Sequence, residues 1–499
     1  MKIDKIIIVG GGSAGWMTAA TLIKYFPNKD ITLIESPNIP TVGVGESTIF
    51  QIREWLRTLE INEEDFMRHT DASYKLSIKF TDFYKKGEAF HYPFGQPNFE
   101  NNANRFNDWW YKKILKPETP NSDFANCMFP QMAYVNNNTF DKKIQSAYHF
   151  DATKFGLWLR DHYCLPKGVK HIKEDVNTIE QDKDGIISLN QKHKADLYID
   201  CTGFKSLLLG ETLKEEFEDM SDMLPNNSAW ATRIPYKDKQ KELVPYTNST
   251  AIENGWVWNI PLWSRIGTGY VYSDKFIDDD NALKQFQKHL GTDELEFKKI
   301  KMRVGIHKRL FVKNVVAIGL SAGFIEPLES NGLFSVHEFA YLLVRNIQRD
   351  YVSQWDKDNF NFNCKTIFYN FAEFVALHYA LSHRTDTEYW KNNFNKNWSK
   401  EVTEYFPTIK GGLLEIVGRR SFDYNFSNSG FACISAGFNW GPTDKISLLK
   451  YNNKSLDKFE EEWAIVENLL EYKKNEWNNQ AKKAPLLYNV LKKYYEETK

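Results

Sequence analysis

Apolar positions at the start of the chain fall into short runs separated by a glycine turn. Lys5 to Val9 reads KIIIV, and Gly10, Gly11, Gly12, Ser13, Ala14 and Gly15 follow at once. Ala19, Leu22, Ile23 and Phe26 then recur at the i, i+3, i+4, i+7 spacing of a helix burying one face. A second apolar run, Ile31 to Ile34, ends in Glu35. The pattern predicts strand, glycine turn, helix, strand and a terminal acid.

Farther along, Pro37, Pro40, Gly43 and Gly45 mark a loop, and an amphipathic segment runs from about Ile49 to Met67. Tyr74 to Phe80 alternates. Tyr74, Leu76, Ile78 and Phe80 face one way; Ser73, Lys75, Ser77 and Lys79 face the other, as in a half-buried strand. Residues 87–145 read as an irregular excursion with a short helix near Trp109. Phe155 to Tyr163 predicts a helix. Val176 to Leu189 and Ala195 to Asp200 predict strands. Residues 225–275 are β-like and contain Gly255 to Pro261, with Pro261 at an edge or strand end. Arg303 to Val312 and Val315 to Gly319 predict further strands, followed by a helical pattern to about Ile347. Beyond it the chain reads mostly helical, with a break near Phe406-Pro407, a loop over Ser421 to Asn439, and an amphipathic helix over Leu456 to Tyr495. The fold class expected is α/β. A Rossmann-like fold is interleaved with a β-rich region in 1–345, and a mostly helical lobe, 346–499, is added to it.

Gly10-x-Gly12-x-x-Gly15 stands between strand and helix, the context its mechanism requires. Gly10 permits the tight turn, Gly12 lets backbone approach a pyrophosphate, and Gly15 lets helix and strand pack closely. The free N–H groups of the helix start hold phosphates, and Glu35 accepts hydrogen bonds from a ribose.

Composition narrows the partners. Formal net charge is −1, which suggests neither nucleic acid nor an anionic membrane. No apolar stretch reaches the length of a membrane span. Cys127, Cys164, Cys201, Cys364 and Cys433 are scattered and form no C-x-x-C pair. Neither a disulfide framework nor a metal site is expected, and the cytoplasm is the compartment they fit. The first strand begins within four residues of the N-terminus, leaving no room for a signal peptide. The chain holds 15 tryptophans. Core packing accounts for most of them, and a flat-walled pocket for an aromatic ligand is the sharper reading.

Three stretches together carry a resemblance. Gly10–Trp16 (GGGSAGW), Trp256–Pro261 (W-x-W-x-I-P) and Phe324–Gly332 (F-x-x-P-x-x-S-x-G) are similar to the flavin-dependent halogenases of the tryptophan-halogenase family. Gly43–Thr48 (GVGEST), Ala72–Lys75 (ASYK) and Asp200–Phe204 (DCTGF) also look like that family. W-x-W-x-I-P is the motif that separates such halogenases from flavin monooxygenases sharing the glycine loop.

The resemblance implies bound FAD, used as FADH2 from a separate flavin reductase, with dioxygen and halide as co-substrates. Halide is oxidised to hypohalous acid, which travels through a tunnel to a lysine and halogenates an electron-rich, small aromatic substrate. The cofactor set implied is Gly10, Gly12, Ser13, Ala14, Gly15, Glu35, Gly45, Glu46, Val176, Leu320 and Leu333. Lys75 is the implied lysine and Glu329 its partner acid. Asn331 and Gly332 are the implied halide site, Asn331 standing where the family usually has threonine. Trp256, Trp258, Ile260 and Pro261 would wall the tunnel. Phe90-His91-Tyr92-Pro93-Phe94 partly resembles an aromatic substrate wall, with His91 and Phe94 the implied substrate-binding residues. The family clamps free tryptophan with an aromatic and acidic segment. Here Ser421–Gly430 (SFDYNFSNSG) lacks most of that clamp, which implies an open pocket for assorted phenols, indoles or other activated arenes.

From the residues alone, alternation cannot choose between Lys75 and Lys79, and Glu329 is also favoured by the dipole of the helix it precedes. An FAD-dependent aromatic monooxygenase and a non-catalytic flavoprotein remain alternatives at this point.

Overall fold

In a computed structural model the described residues are 1–39, 45–95, 97, 105–349, 351–403, 428–443 and 456–496. Two compact units interleave along the sequence. Unit 1 is Met1–Ser73, Tyr148–Thr232 and Phe297–Ala372; unit 2 is Tyr74–Ala147, Arg233–Glu296 and Glu373–Lys499.

Unit 1 is built on a six-stranded sheet in the order Phe311–Val312, Val315–Ala317, Leu197–Asp200, β1 (Lys5–Val9), β2 (Asp30–Glu35) and Lys170–Lys173. All pairs are parallel except the edge pair Phe311–Val312 with Val315–Ala317. β1 lies inside the sheet, and Ile6, Ile7 and Ile8 are all buried. That explains its unbroken apolar run, since a parallel strand is covered on both faces. Each such side chain contributes roughly 1.5–3 kcal/mol of burial free energy. α1 (Ser13–Tyr25) follows and buries Trp16, Met17, Ala19, Ala20, Leu22 and Ile23, packing against helices Gly332–Ile347 and Ala152–Trp158. β3 (Glu46–Ser47) pairs antiparallel with Ala147–Phe150.

In unit 2, strands Ile266–Tyr272, Gly255–Pro261, Tyr246–Ile252, β5 (Ser77–Thr81) and β6 (Ala89–Pro93) lie side by side. β4 (Ser73–Lys75) immediately precedes β5. Directly paired residues share a face of a sheet. One face therefore carries Ile78, Phe80, Phe90, Tyr92, Ser249, Trp256, Trp258 and Ile260, and the other carries Lys79, His91, Asn248 and Asn259. Opposite Trp258 and Ile260 stand Gly269 and Gly267, whose missing side chains leave room for them. The helices Asn428–Gly437 and Gln354–Ala380 bring Phe438 and His378 against Phe90 and Phe80.

Several segments differ from the sequence expectation. Val176–Leu189 is a hairpin of Ile179–Asp182 and Gly185–Leu189, because Asp182 Oδ1 accepts from the Asp184 and Gly185 amides and turns the chain. Val176 itself lies in irregular backbone before it. The Ile49–Met67 segment is two helices, Gln51–Thr58 and Glu63–His69, the second capped by Asn62. The Arg303–Val312 strand is two short ones, Gly305–His307 and Phe311–Val312. Among its described residues the excursion at 87–145 holds three helices: Arg105–Leu115, Asp123–Met128 and Gln131–Asn137. Residues 428–437 of the expected Ser421–Asn439 loop are helical. There Gly430 and Gly437 lie against the Tyr92 hydroxyl and the Phe90 ring, where a Cβ would clash. Gly43, Phe406-Pro407 and residues 421–427 of the shortened clamp lie outside the described residues. Among the described residues no helix is long and apolar enough to cross a membrane.

Candidate active site

The glycine turn after β1 is shaped by close backbone approach. Gly10 has φ +115°, and a Cβ there would overlap the Cys201 carbonyl at the end of the neighbouring strand. A Cβ on Gly15 would overlap the Gly10 carbonyl. Gly12 caps α1 in extended backbone with no side-chain acceptor for the first amides. The Ser13 hydroxyl donates to the Ala152 carbonyl at 2.8 Å, which ties the turn to helix Ala152–Trp158. Gly319, φ +79°, sets the turn carrying Leu320 against the Ala14 methyl. Asp200, from DCTGF, is fully buried and accepts from the amides of Thr202, Leu208 and Leu209 at 3.0, 2.7 and 2.9 Å. It is therefore the anchor of that turn.

Glu35 sits at the end of β2. His171 Nε2 donates to its Oε1 at 2.7 Å, and the imidazole packs edge-on against Trp16 with centroids 5.1 Å apart. A Cβ on Gly11 would fall on the Glu35 carboxylate. Both His171 and Gly11 were missed from sequence, because the contact depends on strand Lys170–Lys173 lying beside β2. Uncapped amides at a helix start, glycines where a Cβ has no room, and an oriented acid on the next strand suit the diphosphate and ribose of FAD.

A second part of unit 1 is the turn ahead of helix Gly332–Ile347. Pro327 opens a single turn, Pro327–Glu329, and Ser330 follows at φ +59°. A non-glycine residue in that region costs about 1–3 kcal/mol and persists where surroundings hold it. Here the Ser330 hydroxyl donates to Ser47 Oγ at 3.0 Å, and Asn226 Nδ2 donates to Glu326 Oε2 at 2.8 Å. Glu329 and Leu333 are buried. Asn331 is 6% exposed, and its Oδ1 has no hydrogen-bond partner among the described residues. Glu46 Oε2 lies 3.8 Å from where a Cβ on Gly332 would be. Glu46 keeps some open surface but is surrounded by protein. Burial pushes its carboxyl up to about 7, and the Asp151 carboxylate acts in the same direction. The amide end of a helix favours an anion. Thus Gly45–Ser47 and Ser330–Leu333, distant in sequence, meet in one place.

In unit 2, Lys75 is buried and its Nζ lies 4.5 Å from the centre of the Phe94 ring. Phe94 is 5.8 Å from Tyr92, and Tyr92 is 6.3 Å from Phe374. The strand predicted over Tyr74–Phe80 breaks at Leu76, whose amide donates to the Pro245 carbonyl and whose carbonyl accepts from the Phe94 amide. Ser73, Lys75 and Ser77, expected on the polar face of a half-buried strand, are buried. Lys79 is only partly buried and pairs across the sheet with His91. His91 does not join Phe94. It lies on the opposite face, hydrogen-bonded to Ser77 Oγ at 2.9 Å and edge-on to Tyr246. Burial, with the Lys79 charge behind it, lowers its imidazole to about 3. Tyr92, in the same Phe90–Phe94 stretch, occupies the face with the tryptophans. Trp256 and Trp258 are buried with ring centroids 6.2 Å apart, Ile260 is buried beside them, and Pro261 ends the strand.

The family model described as tryptophan halogenase matches residues 5–453. The tryptophan 6-halogenase ThaL of Streptomyces albogriseolus is 32% identical, over 99% of each chain. Among solved structures, that of VirX1 superposes with a TM-score of 0.88 at 39% identity, covering 99% of this chain and 100% of that one. BrvH, a flavin-dependent halogenase from Brevundimonas sp. BAL3, superposes with a TM-score of 0.86 at 28% identity, covering 98% and 99%. These matches decide for halogenation over hydroxylation by a monooxygenase. The chain belongs to the tryptophan halogenase family, whose flavin-dependent enzymes halogenate aromatic substrates.

Proposed function

We propose that this halogenase works as one half of a two-component system, taking reduced FAD from a separate reductase and acting on electron-rich indoles, phenols and related arenes. With dioxygen, reduced FAD supplies the two-electron oxidation that turns halide into hypohalous acid. Gly10, Gly12, Ser13, Ala14, Gly15, Glu35, Gly45, Glu46, Val176, Leu320 and Leu333 hold the cofactor. Asn331 and Gly332 hold the halide. Trp256, Trp258, Ile260 and Pro261 exclude water from the path of the hypohalous acid.

The observation that carries the reading is the Lys75 ammonium, withdrawn from solvent and held over the Phe94 ring. Lys75 donates a hydrogen bond to hypohalous acid and aims its halogen at the arene. A ring carbon takes the halogen as the oxygen–halogen bond breaks, and the oxygen leaves as water after gaining a proton. Glu329 accepts the proton lost from the same ring carbon, which restores aromaticity. The net change is arene plus hypohalous acid to haloarene plus water. Phe94 and Tyr92, tilted 53° to each other, furnish an aromatic wall for the ring. The five cysteines are scattered along the sequence and form no C-x-x-C pair, which supports work in the reducing cytoplasm.

The test is reconstitution with FAD, a flavin reductase, NADH, one halide at a time and a panel of arenes, read by mass. A halogenated product supports the reading. Hydroxylated product, or flavin oxidation with unchanged arene throughout the panel, contradicts it.

A further inference from the structure

Glu46 is an acid placed where the family's chemistry needs an anion from outside. β3 holds it opposite Phe150, and its Oε2 lies 3.8 Å from where a Cβ on Gly332 would be. Gly332 opens a helix of 16 residues, and the three residues after it, Leu333, Phe334 and Ser335, carry no charge. Beside it Asn331, 6% exposed, has an Oδ1 without a partner among the described residues. An ionised Glu46 satisfies the positive end of that helix from within the protein, and its charge repels any halide brought to Asn331 and Gly332.

We propose that Glu46 is a proton-coupled gate of the halide site, admitting halide when it carries a proton and excluding it as the carboxylate. The proposal rests on the reading of Asn331 and Gly332 as that site. The ionisable groups on the elements around Glu46 are Asp151 and Lys154 at the head of helix Ala152–Trp158, Tyr148 and His149 on the paired strand, Glu326 and Glu329 before Asn331, and His337, Glu338, Tyr341 and Arg345 farther along the helix that Gly332 opens. Asp151 is the one whose charge acts on Glu46, and it opposes ionisation as burial does. His149 is hydrogen-bonded to Ser73 Oγ at 3.2 Å, and Asp151 accepts from the Lys154 amide at 3.0 Å. With Glu46 titrating near 7, halide affinity is flat at lower pH. Above that it weakens about tenfold per pH unit, and each halide bound takes up about one proton.

The experiment titrates bromide into the oxidised, FAD-loaded protein between about pH 6 and pH 9, following the flavin absorbance difference and, with an indicator dye, proton uptake. The expected result is an affinity about 90-fold weaker at the alkaline end, from one proton with a midpoint near 7, and uptake near one proton per bromide. Glu46→Gln should bind bromide with the parent's low-pH affinity at every pH and take up no proton. Equal affinity at both ends without proton uptake in the parent overturns the gate, as does a Glu46→Gln variant keeping the parent's slope. If that variant fails to hold FAD, the proton count in the parent decides alone. Saturable binding that ignores pH removes the gate and leaves the halide site standing; no saturable binding at any pH removes both.

Discussion

The ammonium of Lys75 lies 4.5 Å from the centre of the Phe94 ring, and Lys75 is fully buried. A lysine in that position gains a cation–π interaction and is fixed in direction by the backbone break at Leu76. Lys79, two residues into the next strand, is partly exposed and looks toward His91 on the other face. The two lysines that alternation made equivalent thus occupy different environments.

Flavin binding should depend on the open backbone at Gly12. Replacing it by leucine puts a branched side chain where the pyrophosphate approaches the head of α1. The variant should keep its far-ultraviolet dichroism and bind FAD more weakly by roughly a hundredfold or more, about 2.7 kcal/mol. Equilibrium dialysis measures this, and undiminished binding would place the cofactor elsewhere.

Glu329→Gln should fold and hold FAD normally while turning over more slowly, by about 10²–10⁴-fold, since an amide cannot accept the ring proton. The loss should fall on kcat with KM for the arene little changed. A shift in KM alone would make Glu329 a binding residue.

His91 should stay neutral through the working pH range. Its folded pKa, near 3, is below the ordinary imidazole value. Its contribution to stability is therefore present above about pH 6.5 and is lost as pH falls toward 3. His91→Gln should flatten the fall in Tm between about pH 7 and pH 4.5, and NMR of the parent should show no His91 titration above about pH 4. An imidazole titrating near 6.5 would contradict the half-buried setting between Ser77, Lys79 and Tyr246.

Simple indoles and phenols should be halogenated faster than free tryptophan. Holding an ammonium and a carboxylate in a pocket requires fixed partners, and an unpaired charge there is costly. Ser421–Gly430 offers few such partners in sequence. Competition between tryptophan and indole in one vessel, read by mass, gives the ratio directly. A preference for tryptophan would show that its clamp is built from other residues.

Local patterns made the nucleotide end legible in the sequence. β1, the glycine turn and α1 are contiguous, and each glycine answers a steric demand set within a few residues or by the adjoining strand. The substrate side is less local. The burial of Lys75 follows from pairing of Leu76 with Pro245 and Phe94, which no window of sequence displays. His91 and Tyr92 are neighbours in a strand and face opposite ways, so a matched stretch such as Phe90–Phe94 does not say which of its residues share a face. The helix Asn428–Gly437 read as a loop because glycine and serine weaken helix propensity. Gly430 and Gly437 lie where rings of unit 2 leave no space for a side chain. His171 carried no motif, and GVGEST marked Glu46 for the cofactor without showing its place beside Gly332; each contact comes from a partner strand or helix far along the chain.

The most direct test of delivery by Lys75 compares the parent with Lys75→Ala and Lys79→Ala, each reconstituted with FAD, reductase, NADH, bromide and indole. The three should consume NADH and oxygen at similar rates. The parent and Lys79→Ala should yield bromoindole by mass, and Lys75→Ala should yield about 10²-fold less or none. Bromoindole from Lys75→Ala at the parent rate, or its absence from Lys79→Ala with FAD bound, would contradict the account.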